Sequence, residues 1–192
     1  MTTPSTDTLT AGELVPGTWT IDAAHSEVGF TVRHLMSKVR GRFAEFSGSV
    51  STGAQPTDSS VRAEIVLSSI DTNQAQRDGH LRSAEIFDAE RHATMTFVST
   101  GVTGDADGYV IHGDLTIKDV TRPVELAAEF LGVATDAYGV TRLGAEATTS
   151  INRKDFGIDF NVPLEGGKLL IGDKIDITLT IEATRDAEGG QA

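Results

Sequence analysis

Apolar side chains recur at every second position along several separate stretches of this chain, a period that belongs to strands with one buried face. In Ser26–His34 the residues Val28, Phe30, Val32 and His34 share one side, and Glu27, Thr31 and Arg33 share the other. The rhythm returns as Val61, Ala63, Ile65 and Leu67, as Val124, Leu126, Ala128 and Phe130, and as Ile175, Ile177, Leu179 and Ile181. Turn-forming clusters at Gly53–Asp58, Thr103–Gly108 and Asp136–Gly139 separate the runs, supplying residues that accept an unusual φ or fix a turn. Counting runs between turns gives roughly eight strands. One stretch breaks the pattern: Asp71, Thr72 and Asn73 offer helix N-caps, and Gln74–Arg82 lacks alternation. This predicts a short helix, weakened by Gly79, and then an irregular turn through Ser83–Ala89.

So little helix cannot cover a sheet, so the sheet must close on itself or stack. The expected fold is all-β: an eight-stranded antiparallel up-and-down barrel, with a helical insertion near residues 73–88 placed to plug or gate one end. A single domain is expected over 17–185. The segments 1–16 and 186–192 are polar and rich in small residues and read as tails.

Charge and composition narrow the function classes. The net charge of −12, from 28 acidic and 16 basic residues, argues against nucleic-acid binding and disfavours docking on anionic lipid headgroups. Cysteine is absent, which excludes disulfides, thiolate metal sites and cysteine nucleophiles. No apolar run approaches the roughly 20 residues of a membrane-spanning helix. Met1–Gly17 has neither Lys, Arg nor the apolar stretch of an export signal, so a cytoplasmic location is expected.

The inward faces are large and aliphatic or aromatic. The residues expected to line the interior are Val28, Phe30, Val32, Phe43, Ile65, Leu67, Phe97, Leu115, Leu126, Phe130, Ile177 and Leu179. A barrel of eight strands is just wide enough to be filled by side chains or to hold one small ligand. Small inward residues such as Ala63, Ala128, Ala145 and Ala147 either leave space or let the barrel taper. A hollow, apolar interior suits a molecule with a long hydrocarbon part.

The polar residues offer several readings. The five histidines show neither the His-x3-His nor the His-Glu-x-x-His spacing of a helix-borne metal site. His34 with His80 or His112, together with Asp78, is the set that convergence in space would make a metal site; no metal is expected. Arginine's planar fork suits a phosphate or quinone head, which makes His34, Arg77, His80 and Arg82 the head-group candidates, with Arg33 or Arg153 beside them. Ion pairs within the protein are the competing reading. No catalytic residue is assigned, there is no Gly-x-Ser-x-Gly elbow, and Leu164–Leu169 lacks P-loop spacing. The alternative function is a small hydrolase or isomerase acting on an apolar substrate through His34, His80 and Asp78.

Beyond alternation, the chain resembles the YceI-like family. His25–Leu35 followed by Gly41-Arg42-Phe43 and Phe46-Ser47-Gly48 resembles that family's opening motif. Ile70-Asp71-Thr72, Arg77–Ser83 and Phe87-Asp88 look like its central helix block. Thr96–Ser99 and Gly113–Ile117 resemble the strands that follow, and Ile151–Gly157 with Ile171-Gly172-Asp173 the closing ones. The blocks run from about Trp19 to Ala183. The resemblance implies a lipocalin-like barrel that binds a polyisoprenoid or related long-chain amphiphile, often as a homodimer. A polyprenyl lipid or quinone is the only bound group it implies. The chain departs from the family pattern at Asp119, often Gly, and at His92-Ala93, often Tyr-Pro.

Overall fold

The computed structural model describes residues 14–105 and 107–187. Eleven strands form one antiparallel sheet: β1 (Gly17–Ile21), β2 (Glu27–His34), β3 (Ser37–Phe43), β4 (Phe46–Thr52), β5 (Ser60–Val66), β6 (Ile70–Asp71), β7 (Thr94–Asp105), β8 (Gly108–Ile117), β9 (Val120–Thr135), β10 (Thr141–Asn152) and β11 (Ile171–Arg185). The first six are three long strands, each broken once. β1 and β2 lie end to end along β11, β3 and β4 continue one another opposite them, and β6 extends the line of β5. With the breaks joined there are eight staves. β1 pairs with both β4 and β11, so the ring closes, and the result is the expected up-and-down barrel. Closure removes the free sheet edges that an open meander of this length would expose.

The expected tails fall mostly on residues 1–13 and 188–192, which lie outside the described residues. Leu14 and Val15, also assigned to the N-terminal tail, instead pack against the Trp19 cluster.

The breaks have local causes. Alternation through Leu67 predicts a longer strand, but β5 stops at Val66 and Leu67–Ser69 forms a 3-10 turn. There the Ser69 hydroxyl donates to the Val66 carbonyl at 2.7 Å, and Leu67 N–H donates to Ala93 O. The expected helix forms as α1 (Ala75–Arg82), but its N-cap is Gln74, whose side chain accepts from Arg77 N–H. Asp71–Asn73 do not cap it. Asn73 takes a φ of 60° and donates its N–H to Asp71 Oδ1, while Thr72 N–H and Oγ1 both donate to Asp78.

Glycines in the family blocks have a packing reason. A Cβ on Gly41 would lie 2.4 Å from the Phe30 ring that crosses it from the neighbouring strand, and one on Gly113 would lie 2.3 Å from Phe97. A side chain at either position would have to displace the ring above it. The two departures from the family pattern also meet. Lys118 and Asp119, both at positive φ, turn β8 into β9, and Asp119 stands 3.4 Å from His92.

The buried apolar residues fall into two clusters. The smaller gathers Trp19, Ile21, Val50, Val133, Leu143 and Ala183 where β1 closes the ring. The larger runs from Phe97, Leu115 and Leu126 in the middle of the barrel to Phe43, Ile70, Ile86, Phe156 and Ile158 at the end that carries α1.

Near the Trp19 end, Arg142 ties three carboxylates together. Its Nη1 donates to Asp22 at 2.8 Å and to Glu182 at 2.7 Å, and its Nε donates to Asp136 at 2.9 Å. Arg142 first, then His25, holds the Asp22 carboxyl at a pKa of about 2, below its usual 3.8. A depressed folded-state pKa stabilises fully above about pH 3.8, and the contribution disappears as the pH falls through about 2. Arg142→Met should therefore lower the melting temperature by several degrees at neutral pH. Melting curves taken down the pH scale should show the gap from the parent closing between pH 4 and pH 2. A gap independent of pH would exclude this network as its source.

Candidate functional site

The barrel encloses a cavity of about 340 Å³, within the roughly 300–1,000 Å³ usual for small-ligand sites. Every stave contributes to its wall, because inward residues alternate with outward ones along each strand. Phe30, Phe43 and Phe87 form a run of aromatic contacts at the helix end, with ring centroids 5.7 and 6.2 Å apart. An interior of this kind offers water few hydrogen-bond partners and suits an apolar guest.

Eleven of the twelve residues expected in the lining face this cavity; Leu67 does not. Moved off the strand by the 3-10 turn, Leu67 is fully buried in the surrounding core. Alternation did not identify several further wall residues. Leu81, Ile86 and Phe87 come from the helical insertion, which thereby caps the cavity from one end. Phe156, Ile158 and Phe160 come from the irregular segment after β10. These last three do alternate, so a period-two scan extended past Asn152 would have flagged them. Nothing periodic marks the helical three.

None of the four head-group candidates lines the cavity. Arg77 donates through Nε to Thr72 Oγ1 at 2.7 Å and through Nη2 to Thr72 O at 2.9 Å. Arg82 donates to Ile70 O. His80 pairs with Glu85 at 2.7 Å and sets its ring edge-on to Phe160. His34 sits at the end of β2, opposite Ser37 and Ile171. The two arginines fasten the insertion to the strand before it.

The set His34, His80 and Asp78 does not converge, nor does any set with His112. Among the described residues, only Asp22, His25 and Glu182 have ligand atoms close enough together for one ion, and Arg142 already occupies those two carboxylates. Asp78 is buried under Thr72, and His112 lies between Thr103 and Glu125 on β8. Arg153 is the cation that does reach the cavity wall. It is spent on backbone, donating to Gly172 O, Ile158 O and Phe160 O and, at 3.1 Å, to Asp173.

A closed antiparallel meander around an apolar cavity, capped by a short helix, defines a lipocalin-like barrel. More particularly, the chain belongs to the YceI-like domain family, whose model matches residues 19–183. The UPF0312 protein plu2095 of Photorhabdus laumondii is 37% identical over 182 residues, covering 93% of this chain and 92% of that protein. Among solved structures, the Campylobacter jejuni YCEI protein superposes with a TM-score of 0.70 at 28% identity, covering 86% of this chain and 96% of that one. A polyisoprenoid-binding domain from Saccharophagus degradans, implicated in plant cell wall breakdown, has the same fold at a TM-score of 0.66 and 16% identity, covering 90% of this chain and all of that one.

Proposed function

We propose that this protein binds a long-chain isoprenoid, or a similar amphiphile with a long hydrocarbon part, inside the barrel and acts as its carrier rather than as an enzyme. The observation that carries this reading is the 340 Å³ cavity inside the barrel, whose wall is built almost wholly from apolar side chains. Each five-carbon unit buried there contributes roughly 4 kcal/mol before the cost of ordering the chain, so a few units give tight binding. The isoprenoid class is supported by the Saccharophagus degradans neighbour, which is described as binding polyisoprenoid. The alternative, catalysis by His34, His80 and Asp78, loses its support because these groups are engaged elsewhere or stand apart from the cavity.

Solvent extraction and native mass spectrometry of the purified protein should reveal a co-purified lipid, and a fluorescent prenyl probe should bind and be displaced by polyprenols. Ala128→Phe sends a ring into the cavity from β9, and is expected to weaken probe binding at least tenfold while shifting the melting temperature little. Unchanged uptake in this variant, or no uptake of any prenyl lipid by the parent, rejects the reading.

A further inference from the structure

We infer that the hairpin joining β2 to β3 is a membrane-docking tip that seats the end of the barrel on an anionic lipid surface. The inference rests on the lipid-binding reading above and assigns the place where cargo is exchanged.

Four of the seven large hydrophobic residues exposed among the described residues, Leu35, Met36, Val162 and Leu169, belong to this one end, and Met36 is 89% exposed. The two segments that carry them are joined. Leu35 N–H donates to Leu170 O, and Leu170 N–H donates to Val162 O. A cluster of apolar side chains held out in water marks an interaction surface. The backbone shows that the display is built in, since Leu35 holds a φ of 55°, a left-handed conformation normally left to Gly, Asn or Asp.

Charge decides the partner. Residues 33–42 carry Arg33, Lys38, Arg40 and Arg42 and no acid, in a chain whose net charge is −12. Arg42 is paired with Asp71. Among the described residues, Arg33, Lys38 and Arg40 have no carboxylate within ion-pair distance. Asp176, near enough to feel Lys38, is taken by Ser150 and Lys174. Arg33 and Lys38 also stand directly opposite one another across the hairpin, a like-charge pair that destabilises a sheet unless something negative neutralises it. Apolar residues at a tip with cations behind them match a bilayer whose surface is anionic and whose interior is hydrocarbon. The cavity wall extends to this end, since it includes Val32, Phe160 and Ile171, and Ile171 is the register partner of His34.

The test is co-sedimentation of the full chain with phosphatidylcholine vesicles, with and without phosphatidylglycerol. Binding is expected only to the anionic vesicles and should weaken with salt. Arg33→Gln and Lys38→Gln should each lower it about fivefold. Leu35→Gly should reduce binding while raising the melting temperature, because glycine accepts the left-handed backbone, so lost binding cannot be ascribed to unfolding. Met36→Asp should abolish binding. Equal binding to neutral and anionic vesicles, or parental binding by the tip variants, overturns the proposal. So does a parent that ignores vesicles but self-associates through the tip, with Met36→Asp monomeric. Uptake of a prenyl probe from vesicle-free solution is measured in parallel. Uptake without vesicle binding removes the docking tip alone, and vesicle binding without uptake removes the lipid-binding reading alone.

Discussion

Replacing Trp19 with alanine is expected to cost about 4 kcal/mol of folding stability, the largest loss available from any single truncation at the closing end of the barrel. Trp19 is fully buried and lies on β1, the strand that pairs with β4 on one side and β11 on the other to shut the ring. Its ring fills the space between Val50, Leu143, Val133 and Ala183. Its indole N–H donates to Thr52 Oγ1 at 2.9 Å, and that hydroxyl donates onward to Val15 O at 2.6 Å. Truncation therefore removes packing and breaks the first link of a chain that secures the entering backbone. At roughly 2–4 °C per kcal/mol for a domain of this size, the melting temperature should fall by about 10 °C. Trp19→Phe keeps much of the volume and should cost about 2 kcal/mol. Thr52→Val strands the indole N–H without an acceptor, which should also cost about 2 kcal/mol. Far-ultraviolet circular dichroism is the readout, because Trp19 is the only tryptophan and its fluorescence vanishes with it. A loss below about 1 kcal/mol in Trp19→Ala would mean that ring closure is held elsewhere.

The barrel was legible in the sequence because its wall has one face in water and one in hydrocarbon, and a period of two records that directly. Ile175, Ile177 and Leu179 read as inward and are inward. Leu67 was misplaced because alternation continues through it while a serine two residues later turns the backbone, and a side-chain cap of that kind leaves no periodic trace. The polar end was less legible. Arg77, Arg82 and His80 are residue types that suit phosphate recognition, yet each finds a partner within the insertion or its flanking strand. Their type was in the sequence, but their partners depend on how the chain turns between β6 and α1. The exposed tip carried a signal that the net charge obscured. Summed over the chain, −12 argues against an anionic surface, whereas residues 33–42 taken alone argue for one. A field acts over a Debye length of roughly 8 Å, so the tip cations outside any ion pair among the described residues, Arg33, Lys38 and Arg40, govern docking at close range; Arg42 is paired with Asp71.

Arg153→Met should cost about 3–5 kcal/mol and, beyond that, loosen the cavity at one end while leaving the ring standing. Arg153 is 5% exposed, and removing one partner from a buried, hydrogen-bonded charge leaves the others uncompensated. Here the abandoned groups are three carbonyls, those of Ile158, Phe160 and Gly172, together with Asp173, which keeps only Lys154 at 2.9 Å. Methionine replaces most of the stem, so the loss measures the polar clasp and not an empty volume. Arg153→Lys retains the charge, but a single ammonium cannot serve acceptors lying in several directions, and it should still cost about 2 kcal/mol. The clasped segment includes Ile158 and Phe160, which face the cavity, and it leads through residues 161–170 to the exposed Leu169 beside the hairpin tip. Its release should therefore speed ligand dissociation more than global stability alone accounts for. Hydrogen exchange separates the two effects. Amides in residues 153–173 should lose protection through local opening while those in β7–β9 exchange only by global unfolding. Uniform loss of protection across the barrel would assign Arg153 to the fold as a whole and not to this end of the cavity.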